Sequence, residues 1–138
     1  MADPGAVIVR LAHEKGIQVV PLVGPSSILL SLMASGMNGQ NFAFNGYLPI
    51  DAAERRQRIK ELEKRSVELG QSQLFMETPY RNDKLFAELL QLLRKDTRLC
   101  IAADLTLKTE YIRTLPVAAW QGQAPDLNKR PAIFIVQA

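Results

Sequence analysis

The sequence has one cysteine and one histidine in 138 residues, and these two shortages exclude most disulfide and metal chemistry at the outset. Cys100 lies inside the apolar run Leu99 to Ala103, where it reads as core, so there is no disulfide frame and a reducing cytoplasm is the expected compartment. His13 stands late in a short amphipathic segment and reads as a surface helix residue. Neither a histidine-based metal centre nor a Ser-His triad can be assembled around it, so no metal is expected. No apolar run is long enough to span a bilayer, and no segment has the pattern of a signal peptide. A Walker loop, a Gly-rich dinucleotide fingerprint, internal repeats and low-complexity segments are also missing. Charge of one sign is scarce: 17 basic against 14 acidic side chains leave +3, compatible with an RNA partner but too little to identify one.

What is present is core material. A hydrophobic content of 47% suffices for one ordinary core, or the remnants of two small ones, and excludes disorder. Asp3 and Pro4 open a helix with Val7, Ile8, Leu11 and Ala12 on one face, and Gly16 stops it. Ile17 to Leu22 reads as a strand, apolar on both faces. It turns at Gly24-Pro25 and hands the chain to an apolar helix from Ser26 to Ser35, closed by Gly36. A strand that stops at Gly-Pro and feeds a Ser-capped helix leaves backbone N–H groups beside a crevice, which suits a polar ligand. No second strand lies in the first forty residues, so this αβα piece is expected to be the edge of a larger sheet or to pair with another chain.

The second region reads as self-contained. Asn41 to Leu48 alternates like a strand, and Asp51 with Glu54 forms a capping box for a charged helix running to about Leu69. Ile59, Leu62 and Leu69 give that helix a thin apolar stripe. Arg55, Arg56 and Arg58 read as a solvated face that could also touch phosphate. Strands are expected at Leu74 to Met76, Arg98 to Ala103, Pro116 to Trp120 and Ala132 to Val136, with a helix capped by Asn82 that buries Leu85, Phe86 and Leu89. Trp120 and Tyr111 read as packing residues, and Met33, Met37 and Met76 as gap fillers. The pattern predicts an α/β fold: a mixed, mostly parallel sheet of about five strands with flanking helices.

In open α/β sheets ligands bind beyond the carboxyl ends of the strands. Here two such ends carry polar residues directly after apolar runs: Glu77 and Arg81 after one, Asp104, Thr106, Lys108 and Glu110 after another. Two acid-bearing loops after two strands of one direction would converge on a single crevice.

These stretches, in order, resemble a known family. Ala2-Asp3-Pro4-Gly5, the Val-Pro-Leu-x-Gly-Pro-Ser stretch ending at Ser26, Phe44-Asn45-Gly46-Tyr47-Leu48-Pro49, Phe75-Met76-Glu77-Thr78-Pro79-Tyr80-Arg81 and Ala103-Asp104-Leu105-Thr106 look like the tetrapyrrole methylase superfamily. Within it the resemblance is to the branch that 2′-O-methylates small-subunit ribosomal RNA. It covers essentially the whole chain and keeps motif order. It implies two α/β domains in tandem with S-adenosylmethionine between them. The Gly-rich motif of the first domain is missing, so the chain looks like a carboxyl-terminal portion: residues 1–40 the end of the first domain and connector, 41–138 the second domain.

The resemblance also implies residue roles. Gly24, Pro25, Ser26, Met76, Glu77, Ala103, Asp104, Leu105, Pro131 and Ala132 would contact the cofactor, largely through main-chain groups, and Arg81 and Lys108 the substrate. Glu77, Asp104, Lys108 and Glu110 are the acid–base candidates for handling a ribose proton, with no choice among them. The expected partner is RNA of the ribosomal small subunit or a tetrapyrrole-like small molecule, in a cytoplasmic homodimer without a membrane. The other class of reading is a non-catalytic binding or dimerisation domain. The chain departs from the rRNA branch where Thr78 and Tyr80 replace Ser and His, where Asp104 replaces Glu, and where Leu107 displaces Lys108 by one position.

Overall fold

Every strand tip that matters here is placed by the last strand of the chain. The computed structural model describes residues 4–138. Its sheet contains β1 (Phe42–Tyr47), β2 (Ser72–Met76), β3 (Arg98–Ala103), β4 (Tyr111–Pro116) and β5 (Ala132–Gln137), in the spatial order β1-β2-β5-β3-β4. Only β1 and β2 pair in parallel; β5 runs antiparallel to both β2 and β3, and β4 returns antiparallel to β3. The expected α/β class and five strands are present, but the sheet is mostly antiparallel rather than mostly parallel. The reason is insertion: β5 fills the place between β2 and β3, which a crossover helix would otherwise have paired in parallel. A central strand buried on both faces reads as the same apolar run whichever way its neighbours point.

The helices α1 (Ala6–Glu14), α2 (Ser27–Ser35), α3 (Ala52–Leu69) and α4 (Asn82–Leu92) complete the described elements, with one-turn 3-10 segments at Pro79–Arg81 and Val117–Trp120. Two layers of helix cover the sheet. On one face α3 and α4 bring Ile59, Leu62, Leu85 and Leu89 against Phe75, Leu99, Phe134 and Val136. On the other, α2 brings Ile28 and Leu32 against Leu74, Cys100, Ile133 and Ile135. Residues of β5 alternate between the two clusters, as the period of two requires. Cys100 and Met37 are core as expected, and Trp120 is fully buried, donating from Nε1 to the Leu99 carbonyl at 3.1 Å and meeting Phe86 edge-on.

Asp51 caps α3 as its sequence predicts, Oδ1 accepting from the N–H groups of Ala53 and Glu54 at 2.9 Å each. Several expectations are corrected. Ile17 to Leu22 forms no strand; it runs without sheet partners, with Leu22 90% exposed, because β-branched residues need a neighbouring ladder and none reaches them. The fourth strand is Tyr111–Pro116 rather than Pro116 to Trp120, since the loop after β3 is short enough to return as a hairpin. Asn82 does not cap α4 but lies in its first turn, where Nδ2 donates to the Arg130 carbonyl. Met33 and Leu69 are exposed. The Asp3 cap lies outside the described residues, and α1 begins after Gly5.

Arg55 is neither solvated nor free for phosphate. Its Nε and Nη2 donate to Glu88 of α4 at 2.7 and 2.9 Å, and Nη1 donates to the Ile50 carbonyl at 2.7 Å. This fork pins α3 to α4 where both are buried. The hydrogen bonds from Arg55 hold the Glu88 carboxyl below its ordinary value. A depressed carboxylate contributes stability above the unfolded value of about 4.3 and loses it as pH falls through the folded one. Arg55→Met, which strands Glu88, is expected to cost about 3 kcal/mol by urea unfolding at neutral pH, and the paired change Arg55→Met with Glu88→Leu to recover most of it. The deficit of the single variant should shrink in acid, as Glu88 becomes protonated in both states.

Candidate functional site

Because β5 opposes both of its neighbours, β2 and β3 run the same way one strand apart, and their carboxyl ends share an edge with the start of β5. In register terms Met76 lies opposite Ile133 and Ala103 opposite Ala132. A cleft of about 170 Å³ opens at this edge on the α2 face. Met76, Ala102 and Ile133 form its apolar floor, Asp104 and Leu105 one side, Pro131 and Ala132 another, and Ser27 at the start of α2 leans over it. Ser26 stands before α2 in extended conformation and its side chain caps nothing, so the first N–H groups of α2 have no side-chain acceptor there.

Asp104 is the polar centre of this edge. Its backbone is left-handed, φ 53°, a conformation that aspartate tolerates better than most residues, and Thr106 follows at φ 70°. The Asp104 N–H donates to the Pro131 carbonyl at 3.0 Å, and its own carbonyl accepts from Leu107 N–H at 2.9 Å. Oδ2 accepts from Arg130 Nε at 2.7 Å and from Thr109 Oγ1 at 2.9 Å. The Arg130 bond first, then Thr109, holds the carboxyl below its usual range against the opposing effect of burial. These contacts favour the charged form of Asp104.

Glu77 goes the other way. Strand alternation sends Phe75 and Glu77 to the α3–α4 face and Met76 to the cleft. The buried Glu77 carboxylate accepts from Thr78 N–H at 2.7 Å and pairs with Arg81 Nη2 at 3.2 Å. It lines a separate cavity of about 200 Å³ with Arg55, Arg81 and Lys84. The two acidic loops thus meet at one edge, but their carboxylates face opposite sides of the sheet. Met76, Asp104, Leu105, Pro131 and Ala132 are brought together around the cleft, whereas Ala103 points into the core, Gly24 and Pro25 are exposed, and neither they nor Ser26 line it. Lys108 is exposed on the loop, and Glu110 is spent on its own turn, Oε2 accepting from Thr106 N–H at 2.7 Å.

Sequence reasoning missed Ser27, Ala102 and Ile133 as lining residues and Arg130 as a partner. Arg130 reads as the end of a polar loop; its only signal is adjacency to Pro131 at the mouth of a strand. Since the Asp104 carboxyl is depressed, it contributes stability above about pH 4 and loses it as pH falls through the folded value. Asp104→Asn keeps a residue type suited to φ 53° and removes the charge. It should lower the melting temperature near neutral pH, and the gap to wild type should close in acid, as measured by calorimetric scans across pH.

No family model matches the chain. In sequence it is similar to ribosomal RNA small subunit methyltransferase I from Vibrio cholerae, with 29% identity over 139 residues, covering 99% of this chain and 47% of that protein. The Pseudomonas aeruginosa protein of the same name is 34% identical over 118 residues, covering 86% of this chain and 40% of its own. The chain spans about half the length of the curated relatives it matches. Among solved structures, that of the methyltransferase CobJ superposes with a TM-score of 0.57 at 15% identity, covering 98% of this chain and 61% of that one. The tetrapyrrole methylase resemblance read in the motifs therefore holds over nearly the whole chain: in sequence it is a relative of ribosomal RNA small subunit methyltransferase I, and in fold it is similar to CobJ.

Proposed function

We propose that this chain is the carboxyl-terminal portion of an S-adenosylmethionine-dependent methyltransferase that acts on RNA, with a ribose 2′-hydroxyl of small-subunit rRNA as acceptor. One observation carries the reading. The strand-edge cleft lies where the motif-bearing tips of β2 and β3 meet the start of β5, in a chain whose curated relatives are named as rRNA methyltransferases. In this reading residues 1–40 belong with the first domain and connector and 41–138 form the second, although α2 packs on the sheet of the latter. In this reading the protein works in the cytoplasm as a homodimer. Among the described residues no helix is long and apolar enough to cross a membrane.

The residues present suit one wall of a cofactor site. A cleft of about 170 Å³ is smaller than the ~300–1,000 Å³ that enclosed ligand sites occupy. Its apolar floor and exposed strand-end backbone fit the methylene chain and flat ring of the cofactor, and the Asp104 carboxylate suits a molecule that carries a positive sulfonium and an ammonium group. Met76, Ala102 and Ile133 would pack against the cofactor, and Asp104 Oδ1, which has no protein donor among the described residues, would accept from a hydroxyl or ammonium group. S-adenosylmethionine supplies an activated methyl carbon; this chain supplies placement and exclusion of water. Arg81 and Lys108 would meet RNA phosphates. Asp104 is the one ionisable side chain lining the cleft among the described residues, and its engagement by Arg130 favours a proton acceptor on the opposite wall or on the substrate.

Calorimetric titration of S-adenosylmethionine into this chain, alone and fused to the amino-terminal half of the Vibrio cholerae relative, tests the reading. Tight binding is expected from the fusion and weaker binding from the chain alone, with methyl transfer by the fusion to small ribosomal subunits and not to a porphyrinogen. Absence of binding by both proteins overturns it.

A further inference from the structure

We propose that Arg130 is the positioning residue of the cleft, fixing the Asp104–Leu105 wall in its left-handed turn so that the wall is shaped before ligand arrives. The proposal rests on reading the cleft as the cofactor site. The loop leaving β3 contains two non-glycine residues in the left-handed region, Asp104 at φ 53° and Thr106 at φ 70°. Such conformations persist only where surrounding contacts over-determine them. Backbone bonds from Asp104 to Pro131 and from Leu107 to Asp104, at 3.0 and 2.9 Å, set the start of the turn. The loop also closes on itself through Glu110 N–H to the Leu107 carbonyl at 3.0 Å, Thr106 N–H to Glu110 Oε2 at 2.7 Å and Thr109 Oγ1 to Asp104 Oδ2 at 2.9 Å, but none of these bonds joins its far end to the segment before β5.

Arg130 does. Nε holds Asp104 Oδ2 at 2.7 Å, Nη2 donates to the Thr109 carbonyl, and Nη1 donates to the Asp126 carbonyl at 2.9 Å. One planar guanidinium thereby ties the two ends of the β3–β4 loop to each other and to the segment before β5. The residue is itself anchored, because its carbonyl accepts from Nδ2 of the fully buried Asn82 at 2.7 Å. The next residue, Pro131, lines the cleft, so any movement of Arg130 is passed to two sides of the pocket. Lysine offers no fixed fork and could keep the Asp104 contact but not the two carbonyls at once. The Arg130 hydrogen bond is also the largest influence holding the Asp104 carboxyl low, which gives the contact a spectroscopic signature.

The 138-residue chain and its Arg130→Met, Arg130→Lys and Arg130→Met/Asp104→Asn variants are compared by NMR amide exchange, carboxyl ¹³C titration and calorimetry with S-adenosylhomocysteine. In Arg130→Met the Asp104 and Leu107 amides should exchange at least tenfold faster while those of central β5 keep their protection. The Asp104 titration midpoint should rise to the ordinary aspartate range, and affinity for S-adenosylhomocysteine should fall at least tenfold. Arg130→Lys should be intermediate, and loop exchange in the double variant no faster than in Arg130→Met, because Arg130 holds the turn through Asp104. A wild-type protein that binds and an Arg130→Met variant that binds equally well overturn the proposal and leave the cofactor reading standing. If wild type alone does not bind, the affinity comparison is made in the fusion with the amino-terminal half of the Vibrio cholerae relative, whose failure to bind overturns the cofactor reading. Loop exchange then decides alone: acceleration in both single variants upholds Arg130 as the clamp of the wall, and unchanged exchange overturns it.

Discussion

The position of β5 between β2 and β3 is the constraint from which the rest of the site follows. A strand that pairs antiparallel with two neighbours forces those neighbours to run alike, and so brings their carboxyl ends to one edge with its own beginning between them. The ladders also bury β5 on both faces, sending Phe134 and Val136 into the α3–α4 core and Ile133 and Ile135 beneath α2. Without this insertion β2 and β3 would pair directly, and the start of β5, whose Ala132 and Ile133 line the cleft between their tips, would be missing from it. Position in the sheet, rather than any single side chain, creates the cleft.

The same pleat that gathers the tips separates their charges. Successive residues of a strand face opposite sides, so Met76 enters the cleft while Glu77 turns to Arg81 and the α3–α4 cavity. By the same alternation Asp104 follows the core-facing Ala103 and falls on the cleft side, where the contacts from Arg130 and Thr109 hold its left-handed backbone. Both carboxylates are engaged by arginine, one on each face of the sheet edge. This arrangement makes them anchors of loop geometry in a low-dielectric setting, where an unpaired carboxylate would be costly.

Much of the secondary structure was legible. The capping aspartate of α3 and the apolar runs of β2, β3 and β5 have local causes, and those elements are found where their patterns place them. Illegible were features with distant causes. Ile17 to Leu22 has strand composition but no ladder to join. Tyr111–Pro116 alternates only weakly and becomes a strand because β3 is adjacent. Arg55 sits in a run of basic residues, and only Glu88, thirty-three positions away, makes it a buried partner.

The sequence by itself determined the α/β class, the strand-end location of polar residues and the order of motifs that carries the methylase resemblance, because these depend on local periodicity and residue identity. Tertiary structure decided strand direction, which carboxylate faces the cleft and the coupling of Arg130 to Asp104. Each of these depends on which distant segment fills the neighbouring place in the sheet, and an apolar run carries no mark of its neighbour's direction.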